Sequence, residues 1–219
     1  MRVNLLCSMR HINEHILQDE KHIDWIGVDR GTIELIKHDI KPVAAIGDFD
    51  SVSDEEYQQI INHIDIDPVN KEKDDTDLAL AVNLAVELGY EEIRIYGATG
   101  GRLDHFMGAV QILTKPEFLE DNIQITLVDE QNEITVLKAG NHRISQVEGM
   151  KYVSFIPLST NIRIKLEEFK YDLPFTTLAQ GSTLTISNEF KAGHEHPLVT
   201  VELGNILMVQ SKDKSKPPV

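Results

Sequence analysis

"PVAAIGDFDSV", residues 42–52, decides how the first half of this chain is read. A short apolar run ends at Gly47, and Asp48 and Asp50 follow with one residue between them. The run has the length and composition of a buried strand, here taken as 42–47. Working outward, "VNLLC" (3–7), "DWIGV" (24–28), "EIRIYG" (92–97) and "IQITLV" (123–128) have the same character. Amphipathic stretches over 30–39, 53–64, 76–89 and 103–114 separate them. In "TDLALAVNLAVELGY", Leu78, Ala81, Val82, Ala85 and Leu88 share one helical face, with Thr76 or Asp75 as cap and Gly89 as stop. Ser53 and Glu56 form a capping-box pattern at the head of 53–64. This alternation of strand and helix predicts a mostly parallel α/β sheet covered by helices.

Past residue 130 the texture changes. "EITVLKAGNHRISQVEGMKYVSFIPL" (133–158) shows short alternating runs broken by turn signals, and no long helix is expected. That pattern predicts a small antiparallel β-sandwich or barrel. The boundary is placed near Asp129 to Asn132, dividing the chain into domains 1–130 and 131–219. The last residues, "KDKSKPPV" (212–219), read as a frayed tail.

Bulk properties narrow the class. With 219 residues, 41% apolar and 26% charged, the chain can bury a proper core. No apolar run reaches the roughly 18 residues that a membrane span needs, and the N-terminal apolar stretch is too short for a secretory signal. One cysteine, Cys7, excludes an internal disulfide framework and fits a reducing cytoplasm. It ends an apolar run, as a buried structural thiol does. A net charge of −15 argues against nucleic-acid binding, which needs basic surface to meet phosphate. A small anionic ligand stays possible if metal ions intervene. The expectation is a soluble cytoplasmic enzyme or binding protein.

Ligands of open α/β sheets bind beyond the carboxyl ends of the strands, which is where Asp48 and Asp50 fall. If that segment stays extended, both carboxylates face one spot. Asp74, Asp75 and Asp77 sit just before the next helix. Taken singly, an Asp-x-Asp turn or an Asp before a helix is often only a polar turn or a cap. Together on one edge they favour a metal–phosphate site, because carboxylates packed without a cation repel one another. Magnesium takes hard oxygen ligands and shares its shell with substrate phosphates. Asp75 is read as the solvated or capping member. The third piece is "IYGATGGRLDHFMG" (95–108), where a strand enters a loop with Gly97, Gly100 and Gly101 before a helix. Such a loop lets backbone N–H groups approach phosphate, with Arg102 adding a fixed cation; by glycine spacing alone it reads as a plain strand-to-helix turn, and the acidic cluster before it gives the phosphate reading its weight. Walker A and Gly-x-Gly-x-x-Gly patterns are both missing. Asp104 and His105, at the helix start, are ligand-binding or capping candidates.

Four stretches, "GVDRG" (27–31), "GDFDSV" (47–52), "KDDTDLALA" (73–81) and "GATGGRLDH" (97–105), resemble the thiamin pyrophosphokinase family in order and spacing. "FKYDL" (169–173) and "SNEF" (187–190) extend the likeness through the β-rich half. The resemblance implies transfer of a pyrophosphoryl group from ATP to the hydroxyethyl oxygen of thiamin, giving thiamin diphosphate and AMP. It implies an N-terminal ATP-binding domain, a C-terminal thiamin-binding domain, and a homodimer with sites between subunits. Carried onto this chain, Asp48, Asp50 and Asp77 would hold magnesium, with Asp74 close by. Lys73, Thr76, Thr99, Gly100, Gly101, Arg102 and Asp104 would face the nucleotide, and Asp29 would border it. Ser187, Asn188 and His105 would meet thiamin, the first two from the partner chain. Tyr171 and Phe190 are candidates either for aromatic walls around a cationic ligand or for the core. Two positions depart from the family: Cys7-Ser8 stands where a glycine pair is common, and Arg30 where glycine is frequent.

Two rival readings stand beside this one. "DFDSV" resembles the nucleophile motif of haloacid-dehalogenase-type aspartyl phosphatases, although it follows the third strand here rather than an early one. A metal-dependent nucleotide sensor on the same scaffold is the non-enzymatic rival.

Overall fold

Five parallel strands build the first half: β1 (Arg2–Leu6), β2 (Asp24–Val28), β3 (Ala44–Ile46), β4 (Glu92–Tyr96) and β5 (Gln124–Val128). The computed structural model describes residues 1–50, 52–64, 75–121 and 123–214, and falls into two units, Met1–Glu130 and Gln131–Val219. In the first unit the strand order is β5-β4-β1-β2-β3. Leu5, at the centre, faces Ile26 of β2 on one side and Ile95 of β4 on the other. Val3, Leu5, Leu6, Ile26, Ile93 and Ile95 have no solvent exposure. A strand buried on both faces has to be apolar nearly throughout, which is why these runs could be read as strands.

The order has a physical consequence. The chain lays β2 and then β3 to one side of β1, and later places β4 on the other side. The crevice above β1 and β4 is thus the topological switch point, the usual ligand seat of such sheets.

Among the described residues six helices connect these strands: α1 (His15–Asp19), α2 (Arg30–Lys37), α3 (Asp54–His63), α4 (Asp77–Glu87), α5 (Leu103–Ile112) and α6 (Pro116–Glu120). The capping box of α3 forms as expected, with Ser53 Oγ accepting from Glu56 N at 3.2 Å and Glu56 Oε2 accepting from Ser53 N at 3.1 Å. Thr76 caps α4 by accepting from Ala79 N at 3.3 Å. Asp75 does not cap; it pairs with Lys115 Nζ at 2.8 Å. Leu88, expected on the apolar face of α4, is exposed because the helix ends one residue earlier. The strand expected over 42–47 is shorter, and the one-turn helices α1 and α6 fall where the periodicity carried no signal.

The second unit has strands β6 (Asn132–Leu137), β7 (Gly140–Arg143), β8 (Tyr152–Pro157), β9 (Ile162–Glu167), β10 (Leu173–Leu178), β11 (Asn188–Glu189), β12 (Leu198–Leu203) and β13 (Ile206–Ser211). They pair antiparallel as β11-β8-β13-β6 and β10-β9-β12-β7. Ile162, Ile164 and Leu166 alternate inward along β9 while Arg163 stays out, the period-two signature of a strand with one buried face. They share a core with Val153, Phe155, Phe169, Val199 and Val201. No helix occurs here among the described residues.

Candidate active site at the carboxyl ends of the strands

Three loops at the carboxyl edge of the parallel sheet each deliver acid. Asp29 follows β2, and its N–H donates to Ile46 O at 2.8 Å, so the ends of β2 and β3 are tied together. Its φ of 48° is unusual for a residue with a side chain. Asp29 occupies the N-cap position of α2, yet its carboxylate does not cap the helix. The carboxylate instead packs against Gly47, where a Cβ would sit 2.0 Å from Oδ1. Among the described residues Oδ1 is buried with no hydrogen-bond partner.

The electrostatics follow from that position. Burial raises the Asp29 pKa to about 6, and the charges of Asp77, Asp48 and Asp50 push the same way, against a hydrogen bond from Phe49 N–H. Asp77, the first residue of α4, is also raised, by burial first and then by Asp48, while a hydrogen bond with Asp29 opposes the shift. Asp48 and Asp50 are exposed.

The segment that carries Asp48 and Asp50 is not extended. Phe49 has φ 55° and buries its ring beside Ile33, Ala45 and Ile60, with Tyr57 at 6.1 Å between centroids. Asp48 Oδ1 accepts from Asp50 N at 3.1 Å, closing a tight turn. Burial of the aromatic ring, rather than strand pleat, leaves the two acids on the surface either side of it.

Among the described residues no three acids or histidines close into a ready cage for a metal. The donor set nevertheless suits a hard divalent cation. A buried carboxylate oxygen of Asp29 lacks a partner among the described residues, and its three neighbours raise the cost of leaving the charge uncompensated. Magnesium needs few protein ligands when substrate phosphates complete its shell. Lys73 and Asp74, two of the expected site residues, lie outside the described residues.

At the switch point, the loop after β4 carries Gly97, Thr99, Gly100 and Gly101. Gly100 and Gly101 have φ of 75° and 68°, in the left-handed region that side chains disfavour. Thr99 is buried, and its Oγ1 has no hydrogen-bond partner among the described residues. Arg102, exposed at the start of α5, gives its guanidinium to Asp104, with Nε to Oδ1 at 3.1 Å and Nη2 to Oδ2 at 2.5 Å. That contact holds the Asp104 carboxyl below its usual range. Asp104 Oδ1 also accepts from His105 N at 3.1 Å, and the His105 ring is exposed.

The opposite lip of the crevice begins at Cys7-Ser8, which the sequence marked only as a departure from the family. Ser8 Oγ donates to Gly97 O at 2.9 Å, and Arg10 N donates to Ser8 Oγ at 3.3 Å, so the loop after β1 is clasped to the glycine loop. Cys7, next to Ser8, has its thiol pushed up to about 12 by burial and then by the Asp29 charge, which suits a structural role.

In the second unit, Ser187 has φ 59° and donates its N–H to Ser154 Oγ at 2.9 Å. Asn188 is buried. Its Oδ1 accepts from Tyr171 N at 3.1 Å and Glu189 N at 2.8 Å, and its Nδ2 donates to Tyr171 O at 2.8 Å. The Asn188 side chain therefore latches the 169–172 turn onto β11 and displays the exposed Tyr171 ring. Phe190 packs into the core beside Phe169, which removes it as an open aromatic wall.

Comparison with known proteins adds independent findings. Residues 17–127 match the family described as thiamin pyrophosphokinase, catalytic domain, and residues 141–205 match thiamin pyrophosphokinase, vitamin B1 binding domain. The curated thiamine pyrophosphokinase of Bacillus subtilis (strain 168) is 41% identical over 196 residues, spanning 89% of this chain and 90% of its own. A crystal structure of thiamine pyrophosphokinase from Bacillus subtilis superposes with a TM-score of 0.87 at 36% identity, over 98% of this chain and 100% of that one. A crystal structure of a probable thiamine pyrophosphokinase from Staphylococcus saprophyticus subsp. saprophyticus gives 0.78 at 43% identity, with the same coverage.

Proposed function

The chain belongs to the thiamin pyrophosphokinase family, and from that premise we propose how its residues divide the reaction. As a thiamine diphosphokinase, it moves the pyrophosphoryl group of ATP to the hydroxyethyl oxygen of thiamin. That oxygen bonds to the β-phosphorus while the bond to the α–β bridging oxygen breaks. AMP leaves with the electron pair, and the hydroxyl proton passes to a base. The aspartyl-phosphatase reading finds no support, because the Asp-x-Asp turn follows β3 and belongs to a wider acid group.

One observation carries the assignment of roles: Asp29, Asp48, Asp50 and Asp77 interact at one sheet edge, and a buried Asp29 oxygen lacks a partner among the described residues. Asp48, Asp50 and Asp77 would hold magnesium, with Asp29 between them and Asp74 close by in sequence. Bound there, the ion supplies charge neutralisation for the phosphates. Asp29 is assigned to the metal ligands as well as to the edge of the nucleotide site, supported by its buried oxygen, which has no partner among the described residues. Phosphoryl-type transfer asks a protein mainly for positioning and charge balance.

Lys73, Thr76, Thr99, Gly100, Gly101, Arg102 and Asp104 are assigned to the nucleotide. Thr99 Oγ1 is a buried group ready for a ligand oxygen. Arg102 can trade Asp104 for phosphate at small cost, since exposed ion pairs contribute little. The second unit would supply thiamin-binding residues, with Ser187 and Tyr171 at its surface and Asn188 as the residue that positions them; His105 is also assigned to thiamin. The active form is taken to be a homodimer in which Ser187 and Asn188 serve the partner's site. A cytoplasmic location fits the single unpaired cysteine.

Phosphorus NMR of the purified chain with ATP, magnesium and thiamin tests this reading. AMP and a new diphosphate ester, both dependent on thiamin and on magnesium, are expected. ADP or free phosphate as product would refute the transfer, and binding of ATP without turnover would favour the sensor.

A further inference from the structure

We propose that Arg10 is a phosphate-binding residue of the nucleotide site, a role that rests on the ATP reading above. The residue stands on the loop after β1, one side of the switch-point crevice, and its side chain lies across the glycine loop that forms the other. A Cβ on Gly101 would come within 2.3 Å of Arg10 Nη1, and one on Gly100 within 3.1 Å of its Cδ. The His11 ring occupies the rest of that space, 2.5 Å from the position of a Gly100 Cβ. Absence of side chains at both glycines thus serves two ends: it permits their left-handed backbone, and it seats a guanidinium on the loop.

Charge and satisfaction single out Arg10. The side chain is exposed, and among the described residues its guanidinium has neither ion pair nor hydrogen bond. Arg102, the cation that the sequence pattern nominates, already has both forks on Asp104. The acids that dominate the neighbouring edge make an uncommitted cation at the switch point valuable to a ligand of high negative charge. The loop is also held in place before any ligand arrives, through Ser8 Oγ on Gly97 O and Arg10 N on Ser8 Oγ. A planar guanidinium on a fixed loop offers two parallel N–H donors, the geometry that phosphate oxygens accept.

A purely mechanical role makes a different forecast. If Arg10 only props the glycine loop, shortening it weakens the fold and both substrates together. If it binds phosphate, only the nucleotide suffers.

The test titrates ATP with magnesium, and separately thiamin, into the full chain by calorimetry, for the unmodified protein, Arg10→Gln and Arg10→Lys. The expected result for Arg10→Gln is an ATP affinity lower by about 10- to 100-fold, the usual scale of a charged hydrogen bond. Thiamin affinity and thermal midpoint should stay put, and Arg10→Lys should recover part of the loss by restoring charge without the fork. Unchanged ATP affinity in Arg10→Gln would overturn the proposal. So would equal losses for ATP and thiamin with a fallen midpoint, the signature of a prop. Failure of the unmodified chain to bind ATP would overturn the nucleotide reading itself, and Arg10's role with it.

Discussion

Gly31→Ala pits two effects of known size against each other. Gly31 lies in the first turn of α2, and an alanine Cβ there would sit 1.8 Å from the Leu6 carbonyl oxygen and 2.5 Å from its carbon. A carbon–oxygen contact relaxes only near 3.3 Å, so about 1.5 Å of movement is needed. Leu6 belongs to the central strand and is fully buried between β2 and β4, so the helix has to give way. Alanine normally gains about 1 kcal/mol over glycine inside a helix. Overpacking costs about 1–3 kcal/mol, and the upper end applies because the obstacle is backbone. The balance is a loss of about 2 kcal/mol, which lowers the midpoint of a chain this size by about 4–8 °C. Asp29 is the N-cap of the same helix and moves with it, so AMP release should fall further than the unfolded fraction explains. Urea unfolding followed by a thiamin-dependent AMP assay measures both. A variant as stable as the parent, or more so, would mean that α2 does not pack on β1 as described.

Other perturbations separate site from scaffold. Asp50→Asn should reduce turnover by at least about 100-fold, a typical cost for a group that stabilises transferred charge, with circular dichroism unchanged because the side chain is exposed; near-normal rates would remove Asp50 from the site. Asn188→Ala strips hydrogen bonds from Tyr171 and Glu189 and should cost about 2–3 kcal/mol in denaturant titrations. It should also weaken thiamin more than ATP, and equal or reversed losses would detach Asn188 from the pocket. Glu20 gives a pH test. Burial pushes its carboxyl up, but hydrogen bonds from Arg2 and Asn4 and the charges of Arg2 and Arg94 outweigh this and hold it below the value of 4.5. Its contribution is complete above that pH and disappears as pH falls through the lower folded-state value. The stability gap between parent and Glu20→Gln, read from urea midpoints, should therefore be constant near neutrality and close on acidification; a gap that widens in acid contradicts the assignment.

Local rules carried much of the fold. The apolar runs of a doubly covered parallel sheet, the Ser53–Glu56 capping box and the alternation of β9 each depend on residues a few positions apart, which is the range over which a sequence speaks directly. Asp48, Asp50 and Asp77 were legible as site candidates for the same reason, since each lies beside a strand end or a helix start. The one-turn helices, the choice of Thr76 over Asp75 as cap, and the pairing of Asp75 with Lys115 across 40 residues were decided by tertiary packing. So were the contacts around the candidate site. Asp29 joins the acids because β2 and β3 end side by side, and Asn188 spends its amide on the turn at Tyr171. Arg10 reaches the glycine loop only because β4 is laid against β1 after a long excursion of the chain. Periodicity and capping are written in neighbouring residues, whereas partners brought together by sheet order exist only once the chain has folded.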